Sequence, residues 1–181
     1  MATRIINRQR QMKIDSASIR RLVDLILRDQ DEAESDVSIV IARDDLLAGL
    51  NASFRDIDRP TDVLAFPMGP EPPRDSGSGG RTPGRGSRAS GPGRRSTARR
   101  ARGADPDTPG PETVLGDVVI SVDRAIAQSK RYCKAPEQEL LKLVAHGVLH
   151  LLGQDHANPS ERRRMRNLEE RYLRLLSRAT Q

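Results

Sequence analysis

Between Gly69 and Glu112 the chain is written almost entirely in Gly, Pro, Ser, Thr and Arg. A stretch so poor in aliphatic side chains cannot bury enough apolar surface to offset the entropy of ordering its backbone, so 69–112 is expected to be a disordered insertion. This segment dilutes the composition: 35% hydrophobic residues is low for a chain of 181, yet the two flanking blocks, 1–68 and 113–181, have the aliphatic density of a compact globule. The expected organisation is one domain, 1–181, interrupted by a long excursion, which is tolerable because loop-closure entropy grows slowly with length. The insertion carries nine arginines against five acids, and therefore four of the six formal positive charges. Such a tract attracts nucleic acid through phosphate contacts, or merely keeps a linker soluble; the residues leave both open.

Within the blocks, helical and strand periodicities alternate. Arg4 to Asn7 suits a short strand, and Asp15 or Ser16 suits the cap of a helix in which Ile19, Leu22, Val23 and Ile26 recur at helical spacing. Val37, Ile39 and Ile41 alternate as in a strand, and Asp44 opens a short helix carrying Leu46, Leu47 and Leu50. Asp62 to Phe66 reads as a strand stopped by Pro67, and Leu115 to Ile120 as another; the insertion thus joins two strands that could pair. Ser121 to about Cys133 is expected to be helical. Pro136 then begins a buried central helix rich in Leu and Val, and Asn158-Pro159-Ser160-Glu161 caps a last helix that buries Met165, Leu168, Tyr172 and Leu175. The other face of that helix is basic, with Arg162, Arg163, Arg166 and Arg174.

All three histidines of the chain, His146, His150 and His156, fall in one run. His146 and His150 are four apart and share a helix face, and Gly153 sits where a left-handed residue can end the helix and turn His156 back toward them. Three neutral imidazoles suit one zinc ion with a fourth coordination position left for water, the arrangement of catalytic rather than structural sites. The plainer alternative is three packed histidines satisfied by carbonyls. Cys133, the only cysteine, is a conceivable further ligand or simply a small helix-ending residue, and nothing supports a thiolate site or a disulfide. No glutamate follows His146 as in the HExxH peptidases; Gly147 stands there, which permits close approach of backbone or substrate. Asp155 could orient an imidazole, act as base or shape the turn. With two Phe, two Tyr and no Trp, the chain offers no stacking platform, so RNA contact is expected to be mainly electrostatic.

The run His146-Gly147-x-Leu149-His150-Leu151-x-Gly153-x-Asp155-His156 resembles the signature of the bacterial YbeY endoribonucleases. Two further stretches agree: Leu50-Asn51, Arg55 and Asp58 through Pro67, and Leu115-Gly116-Asp117-Val118-Val119-Ile120-Ser121. Ala65 stands where the family commonly has serine, and the 69–112 insertion is longer than typical members carry. The resemblance implies an α+β fold, a small mixed sheet packed against helices with the metal site at the end of the buried central helix. It also implies one zinc per chain on His146, His150 and His156, with Arg55 in the RNA-binding groove; an arginine paired with Asp56 or Asp58 is the plain alternative. The implied activity is metal-dependent cleavage of single-stranded RNA in ribosomal RNA maturation, including the small-subunit 3′ end, and in ribosome quality control. The implied partners are the small ribosomal subunit and a ribosomal protein or GTPase. A zinc peptidase or amidohydrolase, and a non-catalytic assembly factor with structural zinc, are the competing classes. The polar N-terminus and the absence of a long apolar stretch point to the cytoplasm and away from a membrane.

Overall fold

The computed structural model describes residues 2–68, 113–154 and 158–179; the expected insertion, 69–112, lies outside them. The element order is β1 (Thr3–Asn7), α1 (Ser16–Asp29), β2 (Ser35–Ala42), α2 (Asp44–Arg55), β3 (Val63–Pro67), β4 (Thr113–Ser121), α3 (Val122–Tyr132), α4 (Pro136–Leu151) and α5 (Pro159–Ala179). The sheet runs β1-β2-β4-β3, parallel across the first three strands and antiparallel at β3. This is the small mixed sheet packed against helices that the resemblance implies. The two strands flanking the insertion do pair, Val63 opposite Ile120 and Pro67 opposite Gly116. Pro67 therefore belongs to the strand rather than stopping it, which an edge strand tolerates because a missing amide proton there breaks no interior ladder.

Period-two alternation sends the strand side chains to two unequal cores. Val37, Ile39, Ile41, Val118 and Ile120 face the larger one, where they meet Ile19, Leu22, Val23 and Ile26 of α1 and Leu140, Val144 and Val148 of α4. On the opposite face Ala42, Leu64 and Val119 close over Leu47 of α2. The sheet thus stands between α4 on one side and α2 on the other. That matters because β3, one of the two edge strands, is bordered by both helices.

Local chemistry ends the elements where the sequence suggests. The Asp15 side chain accepts from the amides of Ala17 and Ser18, and Ser121 Oγ accepts from the amide of Arg124. Cys133 ends α3, as a small helix-ending residue, in the left-handed region at φ 53°, and is exposed. At α5 a reciprocal cap forms, with Glu161 N–H donating to Asn158 Oδ1 at 2.9 Å and Asn158 N–H to Glu161 Oε2 at 3.2 Å. Opposite Asp36 and Val37, β4 carries one extra residue, and the bulge is completed by Gly116 at φ 144°. Any Cβ at Gly116 would overlap the carbonyl oxygen of Phe66. Among the described residues no helix is long and apolar enough to cross a membrane.

Candidate metal centre

Helix α4 is buried along most of its length, and its last turns carry the two histidines that helix pitch places together. His146 Nε2 and His150 Nε2 stand 3.2 Å apart, with the rings nearly perpendicular at 88° and their centroids separated by 4.6 Å. Two nitrogens each roughly 2.0–2.1 Å from one tetrahedral zinc would be roughly 3.3–3.4 Å apart, so the observed separation matches a shared cation closely. The same contact is a hydrogen bond when one ring keeps its Nε2 proton. Both descriptions bring the two Nε2 atoms face to face.

The partner on the far side of His146 fixes which of its ring nitrogens carries the proton. His146 Nδ1 lies 2.7 Å from Glu169 Oε1, and Glu169, on α5, is only 6% exposed. A carboxylate accepting the Nδ1 proton leaves the Nε2 lone pair turned toward His150, the tautomer a metal-bound imidazole uses. Sequence reading passed over Glu169. The signal was present: it lies four residues after Met165 and three before Tyr172, an acid set on an apolar stripe that otherwise faces the core. A buried carboxylate needs a partner, and the histidine supplies it.

The helix ends with Leu152 N–H donating to Val148 O, Gly153 N–H to His150 O and Gln154 N–H to Leu149 O, and Gly153 takes φ 76°. The chain then doubles back, because α5 returns along α4 and carries Glu169 to His146. His156 and Asp155 fall in 155–157, outside the described residues, and among the described residues no group of three or more His, Cys, Asp or Glu could hold a metal. The orienting carboxylate that the structure does describe is Glu169. Of the two uses expected of Gly147, close approach of backbone is the one seen: a Cβ there would overlap Val118 Cγ1 and come within 2.9 Å of Val63 Cγ1, so glycine lets α4 sit down on β3 and β4. Position 147 faces the sheet, and no base could act from it.

The loop from α2 to β3 builds a second feature. Asn51 is 3% exposed, and its Nδ2 donates to Arg59 O at 2.8 Å. With Asp56 capping α2 in the left-handed region, this bond holds the loop against the helix. The result is a cleft of about 420 Å³ lined by Asn51, Arg55, Ile57, Arg59, Asp62 and Arg124 among others. Arg55 is exposed and has no ion pair with Asp56 or Asp58 among the described residues. Arg124 is partly neutralised, 3.2 Å from Asp44. Asp62 is held by Gln128 at 2.5 Å, directly before the strand whose Val63 packs on Gly147. One residue therefore separates the cleft-lining Asp62 from the contact with the helix that carries the histidine pair.

A family model described as Endoribonuclease YbeY matches residues 4–177. Curated proteins named Endoribonuclease YbeY are similar across the chain: one from Syntrophomonas wolfei is 36% identical over 77% of this chain and 71% of its own length. Another, from Clostridium botulinum strain Alaska E43, is 33% identical over 92% of this chain and 93% of its own. The solution structure of TM1509 from Thermotoga maritima, at 21% identity, superposes with a TM-score of 0.55 over 97% of this chain and 89% of that one, which supports the fold alone. On the family model and these relatives, the chain belongs to the YbeY endoribonuclease family.

Proposed function

We propose that this protein is a zinc-dependent endoribonuclease that cuts single-stranded RNA during ribosomal RNA maturation, including small-subunit 3′-end processing, and ribosome quality control. The carrying observation is the pair of imidazole nitrogens 3.2 Å apart with a buried carboxylate behind one of them. In this reading His146, His150 and His156 hold the metal, one per chain. Bound there, zinc supplies Lewis-acid polarisation of a phosphate oxygen. Glu169 fixes the His146 ring in the tautomer that presents Nε2. Arg55 and Arg59 meet the phosphodiester from the cleft, and Arg55 offsets charge as it builds on the phosphorus oxygens. With position 147 turned to the sheet, no side chain stands where the HExxH peptidases keep their base, which argues against peptide hydrolysis. RNA brings its own 2′-hydroxyl as a candidate nucleophile, and product end groups report whether it is used: a 2′,3′-cyclic phosphate marks 2′-hydroxyl attack. The small ribosomal subunit, a ribosomal protein or GTPase as recruiting partner, and a cytoplasmic site of action belong to the same proposal.

The test is protein of defined zinc content incubated with single-stranded RNA, duplex RNA and a generic peptide, beside His150→Ala and Arg55→Glu. Cleavage confined to single-stranded RNA and lost in His150→Ala is expected. Undiminished RNA cleavage by His150→Ala would overturn the proposal, as would peptide cleavage without RNA cleavage.

A further inference from the structure

The two phenylalanines of the chain, which composition alone dismisses as too few for a stacking surface, come together in the fold. Phe54 on α2 and Phe66 on β3 pack edge to face, ring centroids 5.1 Å apart and planes at 64°. Phe66 is held partly buried over the smaller core, whereas Phe54 is 67% exposed. A phenylalanine that open is costly in water, and nothing in the helix requires it: the buried positions of α2 are Leu47 and Asn51. Its neighbours explain the placement. Phe54 and Arg55 lie on either side of the cleft-lining Asn51 around the helix, so the ring leaves α2 on the flank of Asn51 opposite Arg55. Phe66 braces it from beneath through the quadrupole of the ring edge, which holds Phe54 in one orientation without covering its outer face.

Exposed aromatic faces next to cationic side chains are what a single-stranded nucleic acid needs, since bases stack on the ring while phosphates meet the cations. A duplex keeps its bases stacked on one another and has none to offer. We infer that Phe54 is a base-stacking residue, which takes an unpaired nucleobase of the RNA whose backbone runs through the Arg55–Arg59 cleft and so contributes the preference for single strands. This rests on the RNA-cleaving function proposed above, but it is read out by binding. Binding does not require cleavage, so the two proposals can fail separately.

The experiment compares the full-length protein with Phe54→Ala, Phe54→Leu and Phe54→Trp, using fluorescence anisotropy with two probes: a twelve-nucleotide single-stranded RNA and an abasic ribose-phosphate chain of the same length. Phe54→Ala and Phe54→Leu are expected to weaken binding of the RNA by roughly 5- to 150-fold, the span of one base–aromatic stack, while leaving the abasic chain unaffected. Phe54→Trp is expected to bind the RNA as tightly as the parent or better. In cleavage assays the loss appears in KM, with kcat nearly unchanged. Because Phe54 is largely exposed, thermal unfolding of Phe54→Ala and Phe54→Leu is expected to fall only slightly, by loss of the edge-to-face contact with Phe66, with all variants folded at the assay temperature. Equal losses on both probes, or a leucine variant that binds like the parent, would overturn the inference. So would a Phe54→Ala protein with unaltered RNA affinity but a changed sedimentation mass, which would make a second copy of the chain the occupant of this face. RNA binding by Phe54 without any RNA cleavage would instead leave the inference standing and remove the nuclease proposal.

Discussion

Replacing Glu169 by glutamine isolates the carboxylate behind the proposed metal site. The side chain keeps its volume and an acceptor oxygen, yet loses the charge that sits 2.7 Å from His146 Nδ1 in a position only 6% exposed. Carboxylates in this role are worth roughly 10- to 100-fold in metal affinity, or about 1.4–2.7 kcal/mol. Glutamine, still able to accept the Nδ1 proton, belongs near the lower figure; Glu169→Ala, which removes the acceptor, belongs near the upper. Zinc affinity is measured by competition with a chromophoric chelator. Because a ligand that binds only the folded state stabilises it in proportion to the logarithm of its affinity, thermal unfolding with zinc in excess gives an independent reading. Zinc-loaded Glu169→Gln is then expected to lose about 1.4 kcal/mol relative to the zinc-loaded parent, with the metal-free proteins close to one another. Zinc affinities within twofold of the parent for both variants would refute the assignment. A loss equally large without metal would show that Glu169 supports the fold and not the ion.

Other consequences follow from particular contacts. Tyr172 Oη donates to Asp29 Oδ2 at 2.6 Å, and Arg171 bridges the same carboxylate at 2.8 Å, which ties α5 to the end of α1. Tyr172→Phe is expected to cost roughly 1.5–3 kcal/mol in urea denaturation at pH 7, the range for a hydrogen bond to a charged group. Burial first, and then the Asp29 carboxylate, push the Tyr172 hydroxyl up to about 12. A raised acid contributes stability that is complete below pH 10 and fades as pH climbs through about 12, so the parent's advantage over Tyr172→Phe is expected to vanish there. Asp29 shifts the opposite way: the Tyr172 hydrogen bond, helped by Gln30 and Arg171, holds it below the ordinary carboxylate value against the cost of burial. Its stabilisation is present at neutral pH and is lost as acid takes the pH below 3.8 and through the lowered value. Gly116→Ala forces a Cβ onto Phe66 O at φ 144°, and is expected to lower the unfolding midpoint sharply or prevent soluble folding, whereas alanine at Gly49, where a Cβ meets nothing within 4 Å, is expected to be harmless. Arg55→Glu is expected to weaken single-stranded RNA binding roughly 10- to 100-fold, in line with loss of a charge-assisted phosphate contact, with unchanged zinc content.

What can be read from the chain without coordinates is whatever depends on neighbours a few residues away. The four-residue spacing of His146 and His150, the cap at Asn158 and Glu161, proline at the start of α4 and the alternation of Val37, Ile39 and Ile41 are all local patterns, and each element appears where its pattern lies. The adjacency of β3 and β4 was legible for a related reason, since the two strands flank the segment of lowest apolar content. Tertiary structure decided everything that needs two distant segments to meet. Glu169 is 23 residues from His146, and Tyr172 is 143 from Asp29; no periodicity encodes either pairing. Phe54 is counted by composition as one of too few aromatics, and only the packing of α2 against β3 gives it a brace and an open face. Gly147 is an intermediate case, a residue whose type suggested close approach of backbone or substrate, and only the packing of α4 on β3 and β4 decided for backbone. The physical reason is common to all of them: backbone conformation is set by short-range sterics and hydrogen bonds, whereas the environment of a side chain is set by which surfaces the whole chain buries against one another.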